Sequence, residues 1–126
     1  MSSTISSSSQ TTVLVVEDEP LLRLVLAEVL ERLGYAVLEA PDGEAAQAIL
    51  GRGPGVDVLF TDIMLGRGIN GVELAAWTRA HHPATRIAYT TGAWDVSTLT
   101  DAPVLRKPYA YKDLDSALRT LLDAAR

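Results

Sequence analysis

Apolar residues in this chain follow two patterns that take turns. Short continuous or near-continuous runs lie at Val13 to Val16, Tyr35 to Ala40, Val56 to Thr61, Arg86 to Thr91 and Pro103 to Arg106. Their β-branched and Leu content, and the lack of polar alternation in Val13 to Val16, predict strands of which the first is buried on both faces. Between them apolar positions recur at helical spacing. Leu22, Val25, Leu26, Val29, Leu30 and Leu33 predict a helix over about 20–33, with Pro20 just inside its start and Gly34 at its end. Asp42 is placed to cap a second helix carrying Ala45, Ala46, Ile49 and Leu50, which Gly51, Gly53, Pro54 and Gly55 stop. A third helix takes Val72, Leu74, Ala75 and Trp77 inward and closes at His81-His82-Pro83, and the last, about 110–125, shows Leu114, Ala117, Leu118, Leu121 and Leu122 as one stripe. Strands separated by helices imply right-handed crossovers and an α/β fold, a parallel sheet covered on both faces.

Length and composition narrow the picture. At 126 residues, 48% of them apolar, the chain is expected to form one domain over residues 12–126. Residues 1–11 are Ser-dominated, a composition that cannot bury enough surface to order itself, and are expected to form a disordered tail. No apolar run reaches membrane-spanning length and the start lacks the order of a signal peptide, so a cytoplasmic protein with no membrane partner is expected. Sixteen acids against eleven bases, a net charge of −5, argue against unaided nucleic-acid binding. With no cysteine and only the adjacent His81 and His82, thiolate and zinc sites are excluded, and any bound metal must favour oxygen.

Chemistry-bearing residues gather at the ends of the predicted strands. Glu17-Asp18-Glu19 follow the first, Asp62 the third, Thr90-Thr91 end the fourth, and Lys107-Pro108 follow the fifth. The carboxyl ends of parallel strands share one edge, so acids, a hydroxyl and an amine scattered over ninety residues meet there, an arrangement that reads as a phosphoryl-accepting site. Each group has a plainer role open to it. The three acids could cap the first helix, though a cap needs fewer; Asp62 could open the Gly-rich loop Gly66 to Gly71; Thr91 could simply end a strand; Lys107 could be an exposed residue before a turn. Pro108 after Lys107 hints at a cis bond.

Taken together, Val13-Leu14-Val15-Val16-Glu17-Asp18-Glu19-Pro20, Leu59-Phe60-Thr61-Asp62-Ile63-Met64-Leu65, Thr90-Thr91-Gly92 and Leu105-Arg106-Lys107-Pro108-Tyr109 resemble the receiver domain of two-component response regulators, from about Thr12 to Arg126. The resemblance implies a flavodoxin-like five-stranded parallel sheet in the order 2-1-3-4-5. It also implies that Asp62 is the phosphoryl acceptor and that Glu17, Asp18 and Asp62, with the backbone carbonyl of Met64, hold Mg²⁺. Thr91 would contact the phosphoryl group and Lys107 pair with the acids. Chemistry fits these roles, because a carboxylate cluster alone repels an incoming phosphoryl group and needs cations to offset its charge. Mg²⁺ takes oxygen ligands and keeps several waters, while a lysine supplies a mobile point charge.

Some positions depart from the receiver pattern. Only fifteen residues, Gly92 to Arg106, separate Thr91 from Lys107, so the helix usually found between strands 4 and 5 must be very short or disordered. Val104 stands where receivers carry the aromatic whose inward rotation reports phosphorylation. Tyr89-Thr90-Thr91-Gly92-Ala93-Trp94 looks like a degenerate Phe-Ala-Thr-Gly-x-Tyr signature of a subgroup without that switch, in which Trp94 could sense the site. Gly66 stands where many receivers have Pro, and Asn70-Gly71 arrives one residue late. Met64 and Ala93 occupy positions that flank the attacking water in the family and cannot hydrogen-bond it through their side chains, which implies slow hydrolysis of the aspartyl phosphate.

The expected function is a single-domain, monomeric response regulator, not an enzyme beyond its own Mg²⁺-dependent phosphorylation and slow dephosphorylation. It takes a phosphoryl group from a sensor histidine kinase or phosphotransfer protein and signals through a downstream protein. A receiver cut from a hybrid histidine kinase and an unphosphorylated interaction module of the same fold are the alternatives. A phosphatase using Asp62 is disfavoured because such enzymes usually offer a second acid two residues on, where this chain has Met64.

Overall fold

A computed structural model describes residues 10–53, 55–92 and 102–124. The chain runs β1 (Thr12–Val16), α1 (Pro20–Arg32), β2 (Ala36–Ala40), α2 (Gly43–Arg52), β3 (Val58–Asp62), α3 (Gly71–His81), β4 (Arg86–Thr91), β5 (Val104–Arg106) and α4 (Tyr111–Ala124). Five parallel strands pair in the order β2-β1-β3-β4-β5, the doubly wound topology the resemblance implied. The segment expected to hold a short or disordered helix, with Ala93 and Trp94, lies outside the described residues, as does most of the Ser-rich tail. Gln10 and Thr11, which the sequence reading placed in that tail, are tied down: the Thr11 carbonyl accepts from Ala36 N–H at 2.8 Å, and the Gln10 side chain donates to the Gly34 carbonyl at 3.2 Å.

Strand alternation sorts the core into two layers. Val13, Val15, Val58, Phe60 and Ala88 face α1 and α4, where Leu26, Leu30, Leu114 and Leu118 meet them. Leu14, Val16, Leu59, Ile87 and Tyr89 face α2 and α3, meeting Ala46, Leu50, Leu74 and Ala75. Both faces of β1 and β3 are therefore buried, which is why those strands read as unbroken apolar runs. Burying side chains such as Leu114 and Leu118 stabilises the fold by about 1.5–3 kcal/mol each, and this fixes α4 against the sheet. Trp77 is half-buried rather than fully inside: it packs on the second layer and stacks on His81 with ring centroids 4.6 Å apart.

Caps set where the helices start. Asp42 accepts from Ala45 N–H at 2.8 Å, and Asn70 with Glu73 forms a reciprocal capping box on α3. Glu19 holds the N-cap position of α1 without any side-chain cap bond, and no acid lies in that helix's first turn. The acidic triplet is thus not spent on capping α1.

Gly71 begins α3 directly beneath the end of β3. Its N–H donates to the Ile63 carbonyl at 2.8 Å, and a Cβ there would collide with the Asp62 carbonyl oxygen and the Ile63 Cα. Alanine elsewhere in a helix gains roughly 0.5–1 kcal/mol over glycine, but here the neighbours are backbone and cannot yield. Gly71→Ala is expected to lower unfolding free energy by about 1–3 kcal/mol in urea titration; a variant as stable as the parent would contradict this packing.

Candidate functional site

The sheet's carboxyl edge gathers the residues that the sequence placed at strand ends. Glu17 continues β1 by one residue, its N–H donating to the Ala40 carbonyl at 3.2 Å. Asp62 is the last residue of β3, opposite Thr90 of β4, so it is held inside the ladder rather than in the loop that follows. Lys107 continues β5, its N–H donating to the Thr91 carbonyl at 2.8 Å. The Lys107-Pro108 bond is cis, as the sequence hinted.

The side chains converge. Lys107 Nζ donates to Asp62 Oδ2 at 2.7 Å and to Glu17 Oε1 at 3.2 Å, bridging two acids that are 5% and 2% exposed. Asp62 Oδ1 accepts from Met64 N–H at 3.0 Å, which brings the backbone of residue 64 into the site while its side chain stays exposed. Glu17 Oε2 accepts from Glu19 N–H at 3.2 Å. Exposed Asp18 completes a trio: one carboxylate oxygen each from Glu17, Asp18 and Asp62 lie within 4.8 Å of one another.

Three carboxylates faced by one ammonium leave the cluster short of positive charge. Burial, with the Asp62 charge adding to it, pushes the Glu17 carboxyl up to about 7, against the pull of the Glu19 amide and Lys107. Burial also draws Lys107 down, but its bond to Asp62 and the charges of both acids outweigh that and hold the amine above its ordinary value. An all-oxygen pocket with a deficit of positive charge is what a hard divalent cation requires, so the donor set fits Mg²⁺.

Thr91 is fully buried at the end of β4. Four further groups shape the site, and of these Arg23 is the one left without a role or motif in the sequence reading. Arg23, one turn into α1, donates from Nη1 to the Glu17 carbonyl at 2.8 Å and faces Glu39 of β2 at 3.5 Å. The Gly66 N–H donates to Asp18 Oδ2 at 3.0 Å. Tyr109 is pushed up to about 12 by burial, opposed by the neighbouring Thr90 hydroxyl and the Lys107 charge. Thr90 Oγ1, buried beside it, makes no hydrogen bond of good geometry. An arginine one turn past an acidic run was a legible signal; a backbone amide in a loop was not.

The chain is similar to known proteins over most of its length. Residues 13–119 match the response regulator receiver domain model. The chain is 32% identical to the response regulator receiver protein CpdR of Brucella abortus, over 90% of this chain and 98% of that protein. It is 28% identical to sensor kinase CckA of the same organism over 92% of this chain, which spans only 13% of that longer protein. Its fold superposes on the crystal structure of a response regulator receiver protein from Sinorhizobium medicae with a TM-score of 0.86 and 26% identity, covering 94% of this chain and 99% of that one. No helix among the described residues is long and apolar enough to cross a membrane.

Folding raises the Glu17 carboxyl from an ordinary 4.5 to about 7, so between those values the folded chain holds a proton that the unfolded chain has lost. The stability contributed by that proton is full below about pH 4.5 and lost as pH rises through 7. In chelator, the thermal midpoint should therefore fall between pH 5 and 7.5 by more than in Glu17→Gln, and added Mg²⁺ should reverse most of the fall. Parallel pH profiles for the two proteins would contradict the assignment.

Proposed function

The chain belongs to the response regulator receiver domain family, and on that footing we propose that it accepts a phosphoryl group on Asp62 from the phosphohistidine of a sensor histidine kinase or phosphotransfer protein. The observation that carries this reading is the Lys107 bridge between Asp62 and Glu17 at the centre of an oxygen-only trio. An Asp62 oxygen attacks phosphorus, the donor's N–P bond breaks with its electron pair returning to the imidazole, and an acyl phosphate remains on Asp62.

Glu17, Asp18 and Asp62, with the carbonyl of Met64, would hold Mg²⁺, which when bound offsets the charge of the transferring oxygens. Lys107 keeps one ammonium beside the acceptor throughout and pairs with the phosphoryl oxygens once Asp62 is modified. Thr91, at the end of the adjoining strand, is the hydroxyl assigned to the phosphoryl group. Met64 offers the attacking water no side-chain hydrogen bond, which supports a long-lived acyl phosphate.

The phosphohistidine must arrive on a partner, since the two histidines, His81 and His82, lie at the C-terminal end of α3, where the His81 ring bonds the Trp77 carbonyl. An apolar groove of about 460 Å³ runs beside Lys107, lined by Leu22, Val25, Leu26, Pro108 and Tyr111, and exposed Leu21 and Leu24 extend along α1. Apolar surface at the rim of a nearly buried acceptor supports docking of a protein donor there. Output would follow as changed affinity for a downstream protein, with the receiver itself a cytoplasmic monomer built on residues 12–126.

Incubation with acetyl phosphate and Mg²⁺ should add one phosphoryl mass to the intact protein. The gain should vanish in Asp62→Asn and in chelator, fall at least tenfold in Lys107→Ala, and decay over minutes or longer in the parent. Equal labelling of Asp62→Asn would remove Asp62 as acceptor, and decay within seconds would remove the long-lived acyl phosphate.

A further inference from the structure

Asp18 is the one exposed member of the carboxylate trio, and it is gripped from across the chain. Its Oδ2 accepts the Gly66 N–H at 3.0 Å, a contact spanning 48 residues that joins the β1–α1 loop to the β3–α3 loop. Without that bond, repulsion from Glu17 and Asp62 and the pull of hydration would both favour swinging Asp18 outward. A bond from an amide dipole to an ionised carboxylate is stronger than a neutral one. It occupies one carboxylate oxygen and leaves the other open to a cation.

We infer that the Gly66 backbone amide is a positioning group for Asp18, preorganising it as a cation ligand. The inference rests on the reading of the trio as a Mg²⁺ site and extends it to a residue with no side chain. Two features make position 66 specific. A proline there has no N–H to give. A Cβ of any kind would lie 2.7 Å from Asp18 Oδ2, close enough that the carboxylate would have to shift. Gly66 does not have a positive φ, so the backbone itself does not demand glycine; what favours glycine at this point is the approach of the carboxylate. The loop is fixed at its other end by the Asn70–Glu73 capping box, where Asn70 N–H donates to Glu73 at 2.9 Å and Glu73 N–H to Asn70 at 2.8 Å. The amide is thus presented from an anchored segment, as groups that support metal ligands must be; losing such support typically costs tenfold or more in metal affinity.

The test compares Gly66→Ala, which adds the Cβ but keeps the N–H, with Gly66→Pro, which adds a similar Cβ and removes the N–H. Mg²⁺ is titrated calorimetrically into each full chain and into the parent. Weaker binding by the proline variant than by the alanine variant, by about tenfold, with equal thermal midpoints in chelator, supports the inference. Binding by the proline variant as tight as the parent's overturns it and leaves the metal reading standing; where both variants weaken equally, their shared Cβ accounts for the loss and the amide measurement below decides. Absence of Mg²⁺ binding by the parent overturns both. A second measurement needs no change at residue 66: in glycine-labelled protein in chelator, Asp18→Asn should shift the Gly66 amide proton upfield and speed its exchange. An unmoved amide signal overturns the inference even if the proline variant fails to fold.

Discussion

The site depends on one ammonium placed between two nearly buried carboxylates. Lys107 reaches Asp62 and Glu17 from a separate strand, and its side chain is only 29% exposed. Removing one partner from a fully buried ion pair costs about 3–5 kcal/mol because the other charge is left stranded; partial exposure lowers that figure here, but the sign stands. The same arrangement remains electrostatically incomplete, because one cation faces three acids. That incompleteness suits the edge to a divalent cation, and on the proposed reading the cation would bring the oxygens of a phosphoryl group with it.

Parallel pairing makes the bridge possible. β1 and β3 are adjacent and in register, so Glu17 and Asp62 leave the sheet side by side, while β4, which ends at Thr91, separates β3 from β5. The two apolar layers hold the strands so that their ends cannot slide, since a slip of one residue would exchange every buried side chain between differently shaped layers. Groups outside the strands then refine what the strands deliver: Arg23 of α1 ties down the Glu17 carbonyl, the Gly66 loop amide holds Asp18, and Gly71 lets α3 begin against the Asp62 carbonyl.

Most of this was legible in the residues because periodicity and strand-end chemistry are local signals. Unbroken apolar runs identified β1 and β3, and Asp42 and the Gly-rich loop marked helix boundaries to within a residue or two. The strand order came from resemblance, since no local pattern says which strands are neighbours. The apolar run that predicts β3 stops at Thr61, yet Asp62 ends the strand, because pairing with Thr90 extends the ladder one residue further. Trp77 fits the apolar stripe of α3 but lies half-buried, since stacking on His81 satisfies one face of the ring. The Gly66 amide was invisible for a simpler reason: every residue but proline carries an N–H, so the sequence cannot say which of them meets a carboxylate.

The central claim is that the acyl phosphate forms at the carboxylate bridged by Lys107. Borohydride reduction of the phosphorylated protein converts an aspartyl phosphate into homoserine, whose position peptide mass mapping then reads directly. The account predicts homoserine at residue 62 and nowhere else in the acidic cluster. Homoserine at Asp18, or label that resists borohydride because it sits on a hydroxyl such as Thr91, would contradict it.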